Sequence, residues 1–213
     1  MRSNHTVRIK SAGSYASGLL ITKKHVTDTF APSMTSISER ATYILTADHF
    51  LRSCSKVIYI RGQNFTATAT TSLSVFGTDL GLIKLDGKAP TMPLPLITDK
   101  PLHVGSKTIT YGFGGQPSAT TPKEIHGRVI STIPYGVSRN RITRVHHGVL
   151  IYNSPEKAVK GDSGGPVLVD GRVAGIQSMI SDPGGFNTGV ATAATLTQHL
   201  PALAHAMDLL EHN

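Results

Sequence analysis

The chain has 213 residues, a formal net charge of +8 at neutral pH, one cysteine and no tryptophan. That length can bury a sizeable core without covalent staples, and a lone cysteine, Cys54, excludes an intrachain disulfide and with it the disulfide-stapled class of small secreted domains. No apolar run reaches the about 20 residues of a membrane helix, and residues 1–5 lead into no apolar segment of signal-peptide kind, so no membrane is expected and an intracellular setting is favoured, with a mature secreted form left open.

In chain order, residues 23–40 are rich in Ser and Thr and read as a surface loop. Residues 41–49 are a β-branched, apolar run ending in His49, expected as a strand, with the neighbouring Asp48 aimed to the opposite face. Further short strands are expected over 56–60, 66–75, 80–85, 107–111, 128–133 and 149–152, with turns at Asp86-Gly87, Pro117-Ser118 and Pro183-Gly184-Gly185. Residues 167–169 and 172–176 flank Asp170-Gly171 and read as a β-hairpin. The one helix is terminal: Leu196, Leu200, Leu203, Met207 and Leu210 recur at helical spacing, and Pro201 marks its start.

The positive charges form no stripe. Arg139, Arg141, Arg144, His146 and His147 are the densest patch, and Lys23, Lys24 and His25 a second. Neither alternates with the aromatic residues that stacking on nucleic-acid bases uses, so both read as solvated faces and nucleic acid is not the expected partner. The 139–147 patch stays open as an exosite. No motif asks for a metal or cofactor.

The segment Gly161-Asp162-Ser163-Gly164-Gly165-Pro166-Val167 carries the chemistry. A serine among glycines sits on a tight turn, and the N–H groups of Gly161 and Ser163 can converge before it on a developing oxyanion. The same letters satisfy the nucleophile elbow of α/β-hydrolases, but an elbow runs into a helix, and here a hairpin follows.

Upstream stand Leu45-Thr46-Ala47-Asp48-His49 and Asp79-Leu80-Gly81-Leu82-Ile83, and two further segments, Thr110-Tyr111-Gly112-Phe113-Gly114 and Gly175-Ile176-Gln177-Ser178. In this order the set resembles the chymotrypsin-like (trypsin-fold) serine proteases over roughly residues 15–200, in a disulfide-free type of bacterial or viral kind. The resemblance implies an all-β fold of two packed six-stranded antiparallel β-barrels with a C-terminal α-helix. Residues 1–100 would form the barrel carrying His49 and Asp79, and 101–213 the barrel carrying Ser163 plus the helix. It implies a serine endopeptidase acting on protein or peptide: His49 as general base for Ser163, Asp79 orienting His49, and Gly161 and Ser163 as the oxyanion hole. Asp48 stands where the family has alanine. In the family the aspartate before the nucleophile pairs with a freed N-terminal ammonium. Here that is Asp162, and no Ile-Val-Gly-Gly-like segment precedes the early strand at 17–21, so an internal donor or some other ordering device is expected.

The position six before the nucleophile, at the base of the family's primary pocket, is Lys157, and the walls are Ser178, Met179, Ile180 and Gly189. Lys157, with Lys160 near the mouth, implies an acidic P1 side chain. Ile180, where many members have glycine, implies small aliphatic ones, and a one-residue shift that places Glu156 at the base implies basic ones. The order stands as acidic, small aliphatic, basic. A protease-fold binding module with an inactive or gated site, recruited through its basic surface, is the alternative, and the oligomeric state is open.

Overall fold

The computed structural model describes residues 3–87 and 89–212; Met1 and Arg2, where the reading of the N-terminus began, lie outside them. Nine strands arise in the first half: β1 (Thr6–Ser11), β2 (Ser14–Ile21), β3 (Ser36–Arg40), β4 (Tyr43–Thr46), β5 (Ile58–Arg61), β6 (Thr66–Ala69), β7 (Thr71–Val75), β8 (Leu80–Lys84) and β9 (Thr91–Pro95). Seven of them form one antiparallel sheet in the order β6-β5-β1-β2-β4-β8-β7. The stretch 66–75, expected as one strand, breaks at Thr70 into β6 and β7, which lie at opposite edges of that sheet. The chain at Thr70 therefore joins the two edges and curls the sheet, which is how seven strands stand in for a closed six-stranded barrel.

β4 and β8 are apolar without alternation because both their faces are covered. Leu45 and Leu82 point into a cluster shared with the second half of the chain, whereas Ile44 and Ile83 point into the sheet's own interior. The second half builds a closed barrel from β10 (Lys107–Gly112), β11 (Lys123–Val137), β12 (Arg144–Asn153), β15 (Val190–Thr195), β14 (Arg172–Ile180) and β13 (Pro166–Val169). The expected hairpin is present: Val169 pairs Arg172, and Asp170 (φ 51°) and Gly171 (φ 77°) both take the positive φ that a two-residue primed turn demands. With the terminal helix α3 (Leu200–His212), the architecture is the expected all-β two-barrel fold. Leu203, Met207 and Leu210 of α3 enter the shared core beside Leu19, Leu45, Ile176 and Ala194.

Three expectations need correction. Residues 23–40 are not a plain loop: they hold α1 (Lys24–Thr27) and β3, which pairs with β9 as a two-stranded ribbon. Nor are Lys23, Lys24 and His25 a free basic patch. Lys23 pairs with Asp208 and Glu211 of α3, Lys24 with Glu39, and His25 is buried. The run to His49 does not stay extended. The strand ends at Thr46, Ala47 keeps extended angles, and Asp48 opens the single turn α2 (Asp48–Leu51), where an acid in the first turn suits the free N–H groups. Asp48 thus avoids His49 by helical geometry, with its carboxylate on Arg52 (3.1 Å), rather than by strand alternation.

Candidate active site

β4 and α2 deliver His49, and the turn before β8 delivers Asp79, because Thr46 pairs with Gly81 and brings the two segments side by side. The Asp79 side chain is fully buried and is held by three donors. His49 donates its backbone N–H to Oδ1 (2.7 Å) and its Nδ1–H to Oδ2 (2.8 Å), and the Ser178 hydroxyl donates to Oδ2. A carboxylate fixed in this way selects the His49 tautomer protonated at Nδ1 and leaves Nε2 as an acceptor.

The Gly161–Ser163 turn precedes β13 and rests on Ser17 of β2, whose backbone N–H donates to the Ser163 carbonyl (2.8 Å) and whose hydroxyl donates to the Gly161 carbonyl (2.7 Å). Gly161 sits at φ +101°, and a Cβ there would meet the Tyr15 ring at 2.5 Å, so both backbone and space require glycine. The Lys160 carbonyl faces the Gly115 N–H (3.4 Å). Among the described residues, neither the Gly161 nor the Ser163 N–H has a protein acceptor, so both remain free to bind an oxygen. The Ser163 hydroxyl donates to the Ser178 carbonyl (3.2 Å), and no hydrogen bond joins it to His49.

Asp162, between those two N–H groups, is fully buried. Its partner is internal: Lys123 Nζ lies 3.2 Å from Oδ2, while the Gly114 N–H (2.6 Å) and the Val159 N–H (2.8 Å) donate to Oδ1 and Oδ2. Burial, the largest cause, leaves the Asp162 pKa raised; these donors and the Lys123 charge offset it only in part.

His49 and Ser163 line one cleft of about 950 Å³ with Lys160, Ser178, Met179 and Ile180. Val159, Leu150, Val190 and Thr192 also line it, as do the β11–β12 hairpin at residues 137–140 and 143 and the segment 181–183, which brings Asp182 to its edge. Lys157 does not line it. Its ammonium lies over the Phe186 ring (5.3 Å to the centroid) and donates to the Asn187 carbonyl (2.8 Å). Glu156 is exposed, and Gly189 also lies off the cleft, facing Asn153, Tyr152 and Lys157. The cause is the path of the 154–160 loop, which turns Glu156 and Lys157 away from the cleft and brings Val159 and Lys160 to it.

Sequence reasoning missed three participants. Ser178, read as a pocket wall, does line the cleft, and what was missed is its second use: the residue is 2% exposed and its hydroxyl donates to Asp79. Lys123 carried no signal, because β10–β11 pairing alone sets it opposite Gly112. The hairpin tip was read as a charged patch left open as an exosite, and not as a wall of the cleft. Arg52, one residue beyond α2, donates Nη1–H to the Ile142 carbonyl (2.8 Å) and ties that tip to the His49 segment. Cys54 is half-buried with its Sγ near the Phe50 carbonyl (3.4 Å), away from the cleft. Among the described residues no cluster of His, Cys, Asp and Glu could hold a metal ion, and no helix is long and apolar enough to cross a membrane.

The sequence family described as Trypsin matches residues 3–200. The snake venom serine protease rhinocerase 4 of Bitis rhinoceros is 30% identical over 132 residues, 57% of this chain and 51% of its own, so the chain spans about half the length of that curated relative. Among solved structures, the active form of the Rv3671c protease from M. tuberculosis superposes with a TM-score of 0.70 at 16% identity, covering 94% of this chain and 80% of that one. The serine endoprotease from Yersinia pestis gives 0.64 at 17% identity, covering 97% and 64%.

Proposed function

The chain belongs to the trypsin family, and on that premise we propose that it is a serine endopeptidase that cleaves peptide bonds through an acyl-enzyme on Ser163. The observation that carries this reading is the buried Asp79 on His49 Nδ1 (2.8 Å), at a cleft where Ser163 and two free backbone N–H groups meet. The reaction requires the Ser163 hydroxyl to leave the Ser178 carbonyl for His49 Nε2 by rotation about Cα–Cβ, and such bonds tighten when substrate fills the site. His49 takes the hydroxyl proton as Oγ attacks the scissile carbonyl and later gives it to the leaving amine. Asp79 stabilises the imidazolium formed in between. The N–H groups of Gly161 and Ser163 receive the carbonyl oxygen as it becomes an oxyanion; donors of this kind each lower the barrier by about 3 kcal/mol. Water then hydrolyses the ester by the same route.

The substrate is an extended peptide laid along the cleft. Leu150, Val159, Ile180 and Val190 offer apolar surface to its P1 side chain, and Lys157 is elsewhere, so small aliphatic P1 residues rank ahead of acidic and basic ones. The test is a fluorophosphonate label followed by intact-mass analysis, with a peptide library read by mass spectrometry. One label on Ser163, absent from Ser163→Ala, with cleavage after Ala or Val, is the expected result. No label and no cleavage from folded protein would favour the binding-module alternative.

A further inference from the structure

We infer that Lys123 is a positioning residue of this site: its ammonium holds the Asp162 carboxylate in place, and the carboxylate holds the Gly161 and Ser163 N–H groups in their oxyanion-binding arrangement. The inference deepens the endopeptidase reading and rests on it for its kinetic consequence.

Asp162 is the residue between the two free donors, so wherever its side chain is anchored the peptide planes on either side must follow. That anchor is a closed chamber. A Cβ on Gly112 would sit 2.2 Å from Oδ1, and one on Gly114 2.3 Å from Oδ2, so the two glycines leave room for a carboxylate and little else. Two backbone N–H groups enter the chamber, from Gly114 and Val159. The remaining contact is Lys123 Nζ at 3.2 Å; among the described residues it is the one cation within ion-pair distance of Asp162. The Lys123 side chain is 19% exposed, so its charge is partly sheltered and acts at close range.

A buried carboxylate that loses its cation is an uncompensated charge, and the fold responds by moving it towards water or protonating it. Movement is open to this segment. Gly161 tolerates angles that other residues resist, and although Gly164 and Gly165 are tied to Gln177 of β14, residues 159–162 before them hang from Ser17 and the Asp162 carboxylate. Swinging Asp162 out drags the 159–163 loop and takes the two N–H groups off the cleft. Lys123 therefore affects catalysis without reaching the substrate: it is not among the residues lining the cleft.

The experiment compares wild type, Lys123→Met, which keeps the stem and removes the charge, and Lys123→Arg, which keeps the charge. Two readouts are taken on the full chain: hydrogen exchange of the amides at 159–165, and kcat and KM on a peptide chosen from the library profile. Lys123→Met is expected to lose amide protection at 159–165 and to lower kcat by about 100-fold, the loss that follows removal of one oxyanion donor, with KM within about threefold. Lys123→Arg is expected to keep protection and most of kcat. Unchanged protection at 159–165 in Lys123→Met overturns the proposal, as does a loss in Lys123→Arg equal to that in Lys123→Met. If Lys123→Met loses protection over the whole chain, the arginine variant decides alone: wild-type protection at 159–165 supports the proposal, and a local loss there overturns it. A wild type that neither labels nor cleaves refutes the endopeptidase reading, and the exchange contrast still decides the positioning role.

Discussion

At the scale of single residues, Asp79 and Asp48 flank the same histidine and do different things. Asp79 receives three donors in a dry site; Asp48 faces Arg52. In the proposed reaction only Asp79 touches the imidazole. Asp79→Asn is therefore expected to lower kcat by about 10⁴-fold, because an amide there favours the wrong tautomer. Asp48→Asn is expected to leave kcat within about threefold. Steady-state kinetics on one peptide decides, and the reverse pattern would move the orienting role to Asp48. Ser178→Ala removes one donor to a carboxylate, a bond worth about 1.5–3 kcal/mol, and is expected to cost about tenfold in kcat, since part of that loss is recovered by rearrangement.

At the scale of elements, the β11–β12 hairpin outruns the barrel and places its tip against the first lobe. A turn at residues 138–143 is closed by Ser138 N–H to the Thr143 carbonyl (3.0 Å), and Asn140 Oδ1 accepts from the Ile142 N–H (3.2 Å). The anchor to the other lobe is Arg52, itself held by Asp48. This gives Asp48, where the family has alanine, a structural use: it orients the arginine that keeps the hairpin over the cleft. Arg52→Ala is expected to raise KM by about two- to tenfold, the equivalent of one net hydrogen bond, with kcat little changed. It should also speed nicking by an added protease at 138–143. A fall in kcat with unchanged KM would show that the tip shapes no subsite. At the neighbouring 154–160 loop, Lys157→Ala is expected to leave kcat/KM for matched Ala, Glu and Arg P1 peptides unaltered. A selective loss with the Glu peptide would return Lys157 to the pocket.

At the scale of the molecule, one shared core joins both sheets and α3, so the lobes stand or fall together. Two histidines make that stability depend on pH. His5 and His25 are 1% and 4% exposed, and burial, the largest cause for both, lowers each pKa to about 4 from its ordinary 6.5. The unfolded chain thus binds more protons between those values. Their contribution is full above pH 6.5 and is lost as pH falls through 4. Between pH 7 and pH 5 each histidine is expected to withdraw about 2 kcal/mol from the unfolding free energy. Asp162, raised by burial, works the other way, since its protonation on acidification favours the fold. His199, also lowered by burial, adds to the histidines' side. Urea midpoints at pH 7 and pH 5 test the sum: a lower midpoint at pH 5 is expected, and a higher one would show that the histidines are not held neutral.

Much of this was legible in the sequence because it depends on short-range rules. Asp170-Gly171 between β-rich runs names its own hairpin, and the leucine spacing names α3. The glycines around Ser163 and the order His49, Asp79, Ser163 name the candidate residues and the family. What depends on long-range pairing was not legible. The break at Thr70, the ribbon of β3 with β9 and the outward path of Lys157 are set by what packs against each segment, not by its own letters. The same holds for the polar contacts inside the site. Ser178 finds Asp79, and Lys123 finds Asp162, only after the two sheets close and remove those carboxylates from water. A local pattern can specify an element or a candidate nucleophile; which charge neutralises a buried carboxylate is decided when the fold excludes every other partner.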